Sequence, residues 1–120
     1  MSPSDGEAAP HALPAEQPGR AIVGMSAVLL PHTEAGAIDW PAVEAHVERT
    51  VDAGLTPAVN MDTGYVQLLS EADKERVLDL ARSVAGERFV AGAFVADEDG
   101  AAFDLAAYVR AASAIAERGG

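Results

Sequence analysis

Apolar positions are unevenly spread along this chain. From Met1 to about Arg20 they follow neither a helical nor a strand period, and four of the seven prolines (Pro3, Pro10, Pro14, Pro18) fall there. Such a segment buries too little to offset its ordering entropy, so residues 1–20 read as a disordered tail. From Ala21 the pattern changes. Ile22 to Leu30 is a nearly continuous apolar run stopped by Pro31, which suits a parallel strand buried on both faces. Asp39 is then placed to cap a helix with Pro41 in its first turn; Trp40, Val43, Val47 and Val51 follow at helical spacing, and Gly54 closes it. A second unit opens with the short strand candidate Pro57–Met61. It passes through the loop Asp62–Tyr65 to Ser70, a helix cap with an acid three residues on, and to the stripe Val77, Leu80, Ala81, Val84 ending at Gly86. The third unit is the strand candidate Phe89–Val95, then the acidic turn Asp97–Gly100, then a helix with Leu105, Val109, Ala112 and Ala116 on one face.

The order is β-α-β-α-β-α, with strands starting about 35 and about 32 residues apart, the length of one βα unit with a right-handed crossover. A closed eight-unit barrel needs about 250 residues. The region from Ala21 to Gly120 holds three units, so it forms either a small open sheet or part of a larger one, with two open strand edges and one uncovered face.

Composition narrows the functional classes. A 49% hydrophobic content is enough for a packed core. The net charge of −11 argues against nucleic acid or an anionic membrane as a partner, because phosphate binding needs clustered Lys and Arg. With no cysteine there is no disulfide, no thiolate metal site and no Cys nucleophile, which fits a cytoplasmic protein. No apolar run approaches the roughly 20 residues of a membrane span.

Six stretches taken in order carry a family resemblance: Gly24–Pro31, Gly36-Ala-Ile-Asp-Trp40, Val51-Asp-Ala-Gly54, Met61-Asp62-Thr63-Gly64-Tyr65, Leu69–Asp73 and Ala85–Arg88. This series resembles the opening of the dihydrodipicolinate synthase / N-acetylneuraminate lyase family, and the resemblance extends from about Ile22 to Gly120. It implies the first three βα units of a TIM (β/α)8 barrel, with parallel strands and the barrel incomplete. It also implies a class I lyase or aldolase that binds a 2-oxo acid as a Schiff base on a lysine of the sixth strand, with a relay tyrosine on the fifth. No cofactor and no metal is called for, and the small-molecule 2-oxo acid is the expected partner, with self-association into a homo-oligomer beside it.

In the family the loop after strand two reads Gly-Thr-Thr-Gly-Glu. The carboxylate-binding role of its second Thr carries over to Thr63, with Gly64 letting the backbone approach. The relay Thr is replaced by Asp62 and the Glu by Tyr65. A carboxylate at position 62 would repel an anionic substrate unless protonated or paired. The single lysine, Lys74, falls early in the second helix and is expected to be a solvated surface charge, not the Schiff-base residue.

Simpler roles stand beside these. Thr63 and Gly64 suit a tight turn, Asp62 a loop cap, a general base or a metal ligand, and Tyr65 a packing aromatic or a pocket wall. His32, Asp62 and Asp97 each follow a predicted strand and would share a rim, but their spacing is no metal signature. The run Asp97-Glu-Asp-Gly100 lacks the further ligands of a calcium loop. His46 reads as a packed or surface residue, His11 is assigned nothing, and Ser26 lacks the context of a nucleophile. Besides the enzyme reading, two others remain open. One is a non-catalytic α/β binding or assembly module working through the open sheet edges, the other a metal-dependent barrel variant suggested by Asp62.

Overall fold

In the computed structural model, residues 12–120 are described; Met1–His11, the first part of the tail and with it His11, lie outside the described residues. Three strands, β1 (Met25–Ala27), β2 (Thr56–Val59) and β3 (Val90–Ala91), form one parallel sheet in the order β1-β2-β3. Met25 is paired with Thr56 and Ala58 with Val90. Helices α1 (Trp40–Asp52), α2 (Glu71–Ala85) and α3 (Leu105–Ala116) follow the strands in turn. This is the expected alternation, an open α/β sheet of three βα units. Residues 12–20 are exposed, with one turn in which Arg20 N–H donates to Gln17.

The helix starts obey the sequence rules. Asp39, Ser70 and Asp104 each accept, through a side-chain oxygen, the backbone N–H three residues on, at 3.0–3.1 Å. Gly54 and Gly86 close α1 and α2 at φ 79° and 63°, a region costly for residues with a Cβ. Val28, Leu30, Val43, Val47, Val59, Val77, Leu78, Ala81 and Phe89 form one buried cluster between the sheet, α1 and α2.

Three expectations need correction. First, β1 is not buried on both faces. Val28 and Leu30 enter the core, but Met25 and Leu29 are 60% and 57% exposed. Alternation turns them to the opposite face, which no element among the described residues covers. Second, β3 is paired over two residues only, far short of Phe89–Val95, because its partner β2 ends at Val59, opposite Ala91, and turns away at Asn60. Third, α3 docks by another face. Ala107, Ala111, Ala114 and Ile115 are partly covered, whereas Leu105 and Val109 are 63% and 54% exposed and Ala112 and Ala116 are exposed too. The helix carries two apolar stripes, and periodicity cannot say which one meets the sheet.

Candidate functional site

The site is built from strand ends. After Val59 the chain turns at Asn60, which takes a left-handed backbone (φ 53°), so β2 stops there and not at Met61. Two short 3-10 turns follow, Asp62–Gly64 and Val66–Leu68, joined by Tyr65, also left-handed at φ 56°. Gly64 N–H donates to Met61 and Tyr65 N–H to Asp62, at 2.9 and 3.0 Å. The loop is therefore a defined corner. Opposite it, Gly92 continues β3, and a Cβ there would meet the Asn60 carbonyl oxygen at 2.4 Å, so only glycine fits. A Cβ at Gly64 would sit 3.4 Å from the Val28 carbonyl oxygen, an ordinary contact.

A cleft of about 340 Å³ lies at the C-terminal ends of the three strands, walled by Ala27 of β1, Asn60–Thr63 after β2 and Gly92–Phe94 after β3. In parallel sheets this end is where ligands bind. Asp62 and Thr63 are exposed on its wall, Gly64 is buried nearby, and no Lys, Arg or His among the described residues lines it. Asp62 belongs to none of the ion pairs found among the described residues.

Tyr65 takes a different side. It is 48% exposed, stands edge-on to His32 with ring centroids 6.1 Å apart, and lines a separate groove of about 700 Å³ with Trp40, Leu68 and Asp73. Asp97 accepts a hydrogen bond from Tyr108 at 3.1 Å, which raises that phenol above its usual pKa of 10.0. His32, Asp62 and Asp97 are thus not gathered, and among the described residues no group of three His, Asp or Glu is placed to hold a metal ion.

Lys74 corrects its expectation. Its side chain is only 17% exposed, is paired with Glu71 at 2.7 Å and rides 5.6 Å from the Phe94 ring centre. It is not part of the strand-end cleft. The residue that sequence reasoning passed over is Asn60, which is 5% exposed at the pivot of the site. Its signal was available, since asparagine directly after a strand tolerates the left-handed turn better than most side chains.

No family model matches the chain, and no curated protein matches it. Among solved structures it is similar to the "Crystal Structure of a putative dihydrodipicolinate synthetase from Pseudomonas aeruginosa", with 26% identity and a TM-score of 0.65 over 82% of this chain. The match takes in 33% of that protein, so this chain spans about a third of its length. No helix among the described residues is long and apolar enough to cross a membrane. The three open βα units thus share their architecture with one part of a dihydrodipicolinate synthetase-like barrel.

Proposed function

We propose that residues 21–120 supply the first three βα units of a class I lyase or aldolase barrel acting on a 2-oxo acid. The likeness to the "putative dihydrodipicolinate synthetase" over 82% of the chain carries this reading, and Asp62 and Thr63 on the strand-end cleft, with Gly64 following in the same loop, support it. In this reading a lysine outside these residues condenses with the keto group and releases water. The Thr63 hydroxyl, with nearby backbone N–H groups, holds the substrate carboxylate, and Asp62 stands where the proton relay begins. The Asp62 carboxylate, outside every ion pair among the described residues, favours a substrate or partner group that donates a hydrogen bond to it. The absence of cysteine supports a cytoplasmic enzyme.

Borohydride reduction in the presence of pyruvate tests the proposal. The 120-residue chain should gain no covalent adduct, because Lys74 is ion-paired and outside the cleft. A longer polypeptide that completes the barrel should be trapped at a lysine beyond these residues. An adduct on Lys74, or no adduct on the completed barrel, would overturn it.

A second reading rests on the exposed Ile22, Val23, Met25 and Leu29 beside β1 and Leu105 and Val109 on α3. An assembly module would cover these by pairing edges with a second copy. Sedimentation showing a defined oligomer with no trapping in any form would favour it.

A further inference from the structure

The groove beside Tyr65, about 700 Å³, has about twice the volume of the strand-end cleft and shares no residue with it. Its walls come from the loop after β1 (His32, Ile38), Trp40 at the head of α1, the loop after β2 (Tyr65, Leu68) and Asp73 in the first turn of α2. These elements are consecutive and α1 packs on α2, so the groove owes nothing to β3 or α3.

Three of the lining residues are aromatic. The His32 and Tyr65 rings stand 6.1 Å apart and inclined at 63°, so their π surfaces face different directions. Trp40 holds the Arg76 guanidinium carbon 4.0 Å from its ring centre, so that ring already serves as a cation platform. Arg76 itself is not part of the groove wall. Tyr65 is half-exposed and Leu68 is 77% exposed, and neither belongs to the buried core. The wall carries one carboxylate, Asp73, and no Lys or Arg. Asp73 is in none of the ion pairs found among the described residues; Lys74 beside it is taken by Glu71, and Arg76 lies on Trp40. The dipole of α2 places about half a positive charge at this end, less than the full negative charge of Asp73.

This chemistry selects the guest. An anion would meet Asp73 on a chain of net charge −11. A metal ion lacks ligands, since among the described residues no group of three His, Asp or Glu is placed to hold one. A wholly apolar guest strips water from the carboxylate and returns nothing. An alkylated ammonium ion suits both surfaces, because its methyl groups carry a spread positive charge against the rings and Asp73 neutralises it.

We propose that this groove binds a small organic cation of the quaternary or alkylated ammonium class, with His32, Trp40 and Tyr65 as aromatic walls and Asp73 as counterion. The site goes beyond the proposed lyase reading and does not rest on it.

Trp40 is the single tryptophan of the chain, so the protein's tryptophan emission reports from this wall. Choline chloride titrated into the 120-residue protein, at an ionic strength held constant with sodium chloride, should change that emission saturably. The neutral carbon isostere of choline, with tert-butyl in place of trimethylammonium, should not saturate in the same range. Asp73→Asn keeps the shape of the side chain, removes its charge and should weaken choline about fivefold. Tyr65→Asn suits the left-handed backbone, removes one ring and should weaken it about threefold. No saturable change with choline overturns the proposal. So does an equal response to the isostere, or an unchanged choline affinity in either variant. The comparison of choline with its isostere uses the unaltered protein and needs no variant to fold. Pyruvate trapping enters none of these readouts, so the proposed activity can fail without the cation site failing.

Discussion

Helices α2 and α3 invert what their compositions suggest. Between Glu71 and Ala85 seven residues are charged, yet α2 buries Val77, Leu78 and Ala81. Between Leu105 and Ala116 only Arg110 is charged, yet α3 has no buried residue. The difference lies in the neighbours. One flank of α2 packs on α1 and the other faces α3, while beneath it runs β2, whose four residues are all buried. Beneath α3 is a strand of two paired residues, and its Leu105–Val109 flank faces solvent. Burial in this fold is set by how many elements surround a helix, not by how apolar the helix is.

The largest expected effect contrasts the two helices directly. Leu78→Asp places an unpaired charge in the core, a change that costs several kcal/mol, and should abolish the cooperative urea transition. Val109→Asp should shift it by no more than about 0.5 kcal/mol. If the second variant unfolds as readily as the first, the outer face of α3 is covered in solution and the contrast fails. Next, Gly92→Ala drives a Cβ to 2.4 Å from the Asn60 carbonyl oxygen and should cost about 1–3 kcal/mol by the same assay.

Caps sharpen the contrast further. Ser70→Ala should lower global stability by about 1 kcal/mol. Asp104→Ala removes an equivalent cap from α3. It should instead speed amide exchange within α3 alone, leaving the global transition in place, because little packing is lost when that helix frays. The smallest effect concerns Tyr108. Its hydrogen bond to Asp97 favours the neutral phenol, so the contact persists below the usual value of 10.0 and is lost only as pH rises past the elevated one. An ultraviolet titration should show one tyrosine ionising late, and Asp97→Asn should bring it back toward 10.0.

Reading the sequence located what local chemistry decides. The caps Asp39 and Ser70, the stops at Gly54 and Gly86, and the βα repeat could be read because each depends on a few adjacent side chains. The orientation of α3, the exposure of Met25 and Leu29, and the burial of Lys74 depend on elements brought together in space, which periodicity does not encode. The same holds for the site. Asp62 and Thr63 could be placed on a strand-end loop, but the divergence of Tyr65 toward His32 follows from its left-handed backbone. The importance of Asn60 became legible only with Lys74 and Gly92 beside it.

The parallel register has a consequence for synthesis. Met25 meets Thr56, and Ala58 meets Val90, so each strand waits about thirty residues for its partner. On the ribosome β1 and the valine stripe of α1 emerge with nothing to pack against until β2 and α2 follow. The nascent chain therefore presents apolar surface vectorially, from β1 onward, before the elements that cover it have been made.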